Sequence, residues 1–216
     1  MVAVDMVAVD MGNGQMVSME VINERDPYAV CRWLKPLVQE LGIEVIVTDD
    51  LTTYNTVEEQ LGIHRQICYF HMRRWVAKAL DDLEKKLAVE EGWPDWVGVI
   101  EEVRRLVKEL PPEGDERLME LWQMVQKECG FRRRREADTP LQKLARLLVQ
   151  LMENWGRYRF YLTEGGAGGA RLGVPATNNL TEQMIGNGKV RSRTVRGYKS
   201  RAGVLAAFLV CAARLA

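Results

Sequence analysis

Val45-Ile46-Val47-Thr48-Asp49-Asp50 is an apolar, β-branched run that stops abruptly at two carboxylates. Glu44 to Thr48 suits a buried central strand. Its end presents acids where ligands gather in an open α/β sheet, at the carboxyl ends of the strands. Carboxylates fixed in direction by a sheet can hold Mg2+. The same residues have a purely structural reading, in which one aspartate caps the following turn or helix. On this segment alone the two readings stand level.

Upstream, Met6 to Asp10 and Gln15 to Ile22 read as strand arms around Met11-Gly12-Asn13-Gly14, where Asn-Gly is a strong hairpin signal. The pentapeptide Met1 to Asp5 is repeated at Met6 to Asp10, a local duplication rather than a repeat architecture. Asp26-Pro27 opens a helix whose apolar stripe includes Val30, Leu34 and Leu41 and which Gly42 closes. Downstream, a helix is expected around Val57 to Leu61, then a short strand over Arg65 to Phe70. From Trp75 to Leu162 the pattern is helical throughout. It contains a capping box with proline at its first helical position, Thr139-Pro140-Leu141-Gln142. The expected organisation is therefore a small mixed sheet over residues 1–74, a helical block over 75–162, and a return to the sheet over 163–216.

The 216 residues suffice for a sizeable core without covalent staples. Lys and Arg number 30, as do Asp and Glu, so no global field favours nucleic acid and any basic surface is local. The four cysteines form no C-x-x-C pair and read as reduced thiols of a cytoplasmic protein. No membrane span is expected, because the apolar C-terminal run is short and interrupted by Arg214.

Three further features carry chemistry. Thr177-Asn178-Asn179-Leu180-Thr181-Glu182 delivers a lone glutamate. Its bland reading is a capping box, with Glu182 reaching back to its own helix start. The stretch that follows carries Lys189, Arg191, Arg193, Arg196 and Lys199 interleaved with Ser192 and Thr194. These are the usual donors to phosphate oxygens, although a solvated helix face would look similar. Arg132 to Arg135 form a weaker second basic candidate. Cys68 and His71 have the spacing of half a zinc site. A structural zinc needs four ligands, and the chain has only two histidines. The expectation is that Cys68 is buried and His71 orients a neighbour. Together, strand-end aspartates, a distant glutamate and an adjacent basic segment suit metal-assisted phosphodiester chemistry on DNA.

In combination these residues resemble the DDE-type transposases of bacterial insertion sequences, near the Mutator-like superfamily. The resemblance rests on V-I-V-T-D with Tyr54 shortly after, on L-G-I-H-R-Q-I-C-Y-F-H with Arg73 and Arg74 following, and on T-N-N-L-T-E with K-V-R-S-R-T-V-R-G after it. It spans nearly the whole chain. It implies an α/β, ribonuclease H-like mixed sheet with an inserted all-helical block, and a Cys-x-x-His signature (Cys68, His71) between the second catalytic aspartate and the glutamate. By position Asp49 is that second aspartate, with Asp50 as fallback, and Glu182 is the catalytic glutamate. The acids would hold two Mg2+ or Mn2+ ions for nicking at transposon ends and strand transfer into target DNA. A homo-oligomer associated with the nucleoid is implied.

The departure lies at the N-terminus. The hairpin around Asn13-Gly14 looks like the second and third strands of such a core, so the first strand and its aspartate are expected to be missing. Asp10, or Asp5 through the duplication, is the substitute candidate. The expectation is a truncated transposase. Its rivals are a non-catalytic DNA-binding remnant and a ribonuclease H-like structure-specific nuclease.

Overall fold

The computed structural model describes residues 4–88, 93–129, 138–163 and 173–194, together with positions 203 and 206. In chain order the elements are β1 (Val4–Val9), β2 (Met16–Ile22), α1 (Pro27–Leu41), β3 (Val45–Thr48), α2 (Thr53–Leu61) and β4 (His64–Ile67). They continue as α3 (Tyr69–Leu87), α4 (Trp93–Glu109), α5 (Gly114–Glu128), α6 (Pro140–Arg159) and α7 (Asn179–Thr194), with a short 3-10 turn at Phe160–Leu162. The chain is mixed α/β and mostly helical.

Its strands pair two by two. β1 and β2 form the expected antiparallel hairpin, running from Val4 opposite Ile22 to Val9 opposite Met16, with an irregularity between Ala8 and Val9. β1 crosses the junction between the two pentapeptide copies. The turn is held by Asp10, whose carboxylate accepts from the Gly12 amide and the Asn13 side chain, each at 2.8 Å. Gly14 sits at φ +73°, a left-handed position that favours glycine. β3 and β4 run parallel, Val45 beside His64 through Thr48 beside Ile67, with α2 as the crossover. β3 was expected to be a buried central strand. Among the described residues it pairs with β4 alone and is only half-buried along its length.

The α1 boundaries follow the sequence signals. Asp26 caps it, its carboxylate accepting from the amides of Tyr28 and Ala29, and Gly42 closes it in the left-handed region. Leu41, placed in the apolar stripe, is instead mostly exposed. The strand expected over Arg65 to Phe70 is shorter and shifted. β4 ends at Ile67, and Cys68 becomes the N-cap position of α3. The expected boundary between residues 74 and 75 therefore falls inside one continuous helix.

α3 to α6 share one apolar core with Ile67 of β4; Leu80, Leu106, Leu118 and Leu148 are among its fully enclosed side chains. The α6 capping box forms as read, between Thr139 and Gln142. A second cluster joins α1 and α2 to Met6, Ile22 and Ile46 of the strands. A third seats Met184 of α7 against Val7 of β1. Gly114, at the start of α5, faces the Trp155 indole so closely that an added Cβ would lie 2.1 Å from its Cζ2. Trp155 is buried and tied to the Pro111 carbonyl at 3.1 Å, so it has little room to yield. Gly114→Ala is expected to cost about 1–3 kcal/mol, read as a lowered Tm in thermal unfolding; an unchanged Tm would refute this packing.

Candidate active site

The carboxyl ends of β3 and β4 lie side by side, and two helix N-termini converge on them. The Cys68 amide donates to the Thr48 carbonyl at 2.7 Å, which continues the parallel ladder to the first residue past β4. The next amide, Tyr69, donates to the Ala176 carbonyl at 2.8 Å and ties the segment before α7 to the start of α3. Glu182, far off in sequence, is thereby brought to Cys68 and His71 at one end of the parallel pair, the end at which Asp49 follows β3.

The two aspartates part company here. Asp50 is committed to the helical block: its Oδ2 accepts from Tyr158 Oη at 2.8 Å and Gln150 Nε2 at 3.1 Å. Burial, the largest cause, pushes its carboxyl above the ordinary carboxylate value. Asp49 Oδ1 is buried without a hydrogen-bond partner. A buried carboxylate oxygen left unpaired is costly and asks for a water or a cation. As a hard oxygen donor at a strand end, it fits a divalent cation such as Mg2+.

Asp50→Ala is expected to cost about 1–3 kcal/mol, since it strands the buried Tyr158 hydroxyl. Asp50→Asn retains an acceptor and is expected to unfold close to wild type. Urea unfolding of the two variants checks this; equal losses would show that the acceptor is not what matters.

Arg65 holds the loop that carries these acids. It is 1% exposed, and burial lowers its pKa below the ordinary guanidinium value. Its Nε donates to Thr48 Oγ1 at 2.8 Å and one terminal nitrogen to Asn55 Oδ1 at 2.6 Å. The other reaches the Asp49 carbonyl at 2.6 Å and the Leu51 carbonyl at 3.2 Å. The guanidinium also lies 5.4 Å from the centre of the Tyr54 ring, and Tyr54 Oη donates to Glu24 Oε1 at 2.8 Å. Next along β4, buried Gln66 accepts from the Tyr161 amide at 2.8 Å and so anchors the strand to the 3-10 turn that follows α6. Sequence reading gave Arg65 and Gln66 no role. In His64-Arg65-Gln66-Ile67 nothing marks a polar residue as buried, because periodicity registers polarity and not its partners.

Glu182 lies in the first turn of α7. Its side chain does not make the capping-box bond to its own helix start; its carboxylate lies 3.4 Å from His71 Nε2. Cys68 is fully buried, as expected, and its side chain makes no cap hydrogen bond. One ligand atom from each of Cys68, His71 and Glu182 lies within 4.8 Å of the others, and this is the trio of metal-ligating side chains so grouped among the described residues. Asp10 is outside it, both of its oxygens engaged by the hairpin turn.

Lys189, Arg191 and Arg193 lie on α7, within the same helix as Glu182. Arg196 and Lys199 lie outside the described residues, as do Arg132 to Arg135. Among the described residues no helix is long and apolar enough to cross a membrane.

The family model described as "Transposase IS66 family" matches residues 8–205. The chain belongs to the IS66 transposase family, a family of insertion-sequence transposases. No curated protein matches the chain, and no solved structure does.

Proposed function

We propose that this chain carries out the DNA strand cleavage and strand transfer of transposition, through a divalent-cation site in which Asp49 and Glu182 supply oxygen ligands. The observation that carries this reading is the unpartnered, buried Oδ1 of Asp49 at the end of β3, beside the helix start that brings Glu182. Family membership supplies the substrate class, DNA. A bound Mg2+ or Mn2+ would polarise the phosphodiester and favour the attacking oxygen.

The rest is done by the chain. Arg65 fixes the Asp49 loop through its backbone carbonyls, and Met184 seats α7 against the hairpin. Lys189 and Arg193 lie on α7, the helix that carries Glu182. This supports contact of those basic positions with the DNA backbone; Arg196 and Lys199, proposed for the same role, lie outside the described residues. The order of hairpin, parallel pair, helical block and glutamate helix supports a ribonuclease H-like core of the Mutator-like kind. A homo-oligomer fits an enzyme that must hold two transposon ends together.

A second reading, a DNA-binding protein without cleavage activity, is favoured by one observation: Asp10, the candidate third acid, is spent on its own turn. Nicking of supercoiled plasmid by the purified chain separates the two. Cleavage that requires Mg2+ or Mn2+ and stops with chelator is the expected result. DNA binding without nicking in either metal would overturn the cleavage reading in favour of the second.

A further inference from the structure

The trio of Cys68, His71 and Glu182 has a different donor character from an all-oxygen Mg2+ site. Thiolate and imidazole select borderline and soft cations, and Mg2+ takes oxygen. We propose that Cys68, His71 and Glu182 form a three-ligand site for a Zn2+-class cation, with water in the fourth position.

Four features of the geometry support it. His71 Nε2 and Glu182 Oε1 are 3.4 Å apart without making a hydrogen bond. With ordinary zinc–nitrogen and zinc–oxygen bond lengths, a nitrogen and an oxygen on one tetrahedral ion are separated by about 3.4 Å. The other ring nitrogen, Nδ1, is buried and has no hydrogen-bond partner. A buried ring nitrogen without a partner is an arrangement that a water or a metal ion would relieve. Cys68 forms the floor of the site, fully buried and unused by the cap it occupies. The side chains of His71 and Glu182 are 33% and 41% exposed, so an ion can enter from solvent between them.

Binding releases the thiol proton to solvent and forms one sulfur–metal bond. The inference does not rest on DNA cleavage, since it is read by binding alone, although Glu182 belongs to both sites. If both hold, a Zn2+-class ion competes for the carboxylate that the cleavage reading needs.

Co2+ titration of the full chain under reducing conditions, followed by absorption, is the test. The expected result is a saturable thiolate-to-cobalt charge-transfer band with tetrahedral visible bands, displaced by Zn2+. Cys68→Ser should abolish the charge-transfer band, and His71→Ala and Glu182→Gln should each weaken binding at least roughly tenfold. No band, or an undiminished band in Cys68→Ser arising from the other cysteines, would overturn the proposal. If Cys68→Ser does not fold, unchanged Co2+ affinity in His71→Ala would overturn it equally. Failure of plasmid nicking alone leaves this binding result unaffected, so the two readings fail separately.

Discussion

Glu182→Gln is expected to reduce Mg2+-dependent nicking by at least roughly a hundredfold while leaving the fold and DNA binding intact. Losing even an outer-shell partner of a metal site commonly costs up to a hundredfold, and Glu182 is proposed as a direct ligand. The substitution keeps size and polarity but removes the charge that holds a hard cation. The side chain is 41% exposed and its near neighbour is His71 at 3.4 Å, so little packing is at stake. Unfolding curves that overlay wild type, beside lost nicking and retained binding, would place the effect in chemistry. A variant that nicks at the wild-type rate would remove Glu182 from the site.

Arg65→Met is expected to be the most destabilising single change near the site, at about 3–5 kcal/mol. That is the usual cost of removing one member of a buried charged network. The methionine fills part of the volume but leaves Thr48, Asn55, Asp49 and Leu51 without the donor they now share. Arg65→Lys should recover only part of the loss, because an ammonium cannot reproduce the planar fork that reaches four acceptors. Denaturant unfolding checks the order wild type, Lys, Met. A loss below about 1 kcal/mol for Arg65→Met would mean that water replaces the guanidinium without penalty.

Much of the local fold was legible because it is written in short-range chemistry. Asp26-Pro27 with Gly42, Asn13-Gly14, and Thr139 with Gln142 each impose a cap or turn through atoms a few residues apart, and each forms as read. Cys68 to Phe70 was misread as strand, since a short apolar run does not reveal which residue turns from extended backbone into a helix cap. The half-burial of β3 was equally hidden, because a β-branched run does not reveal how many strands will flank it.

At the candidate site, sequence singled out Asp49, Glu182, Cys68 and His71 but not how they relate. Glu182 has the spacing of a capping box, yet its carboxylate lies beside His71, a contact that depends on Met184 docking α7 against Val7. The pair Asp49-Asp50 could not be divided by sequence. The division comes from Tyr158 and Gln150 of α6, about a hundred residues away, which take up Asp50 and leave Asp49 Oδ1 unpaired.

That division offers the most direct test of the cleavage account. Asp49→Asn and Asp50→Asn, purified side by side, are compared for Mn2+- and Mg2+-dependent nicking of supercoiled plasmid. Loss of nicking in Asp49→Asn with activity retained in Asp50→Asn is the expected outcome. Activity retained in Asp49→Asn, or lost only in Asp50→Asn, would contradict the assignment of Asp49 as the strand-end metal ligand.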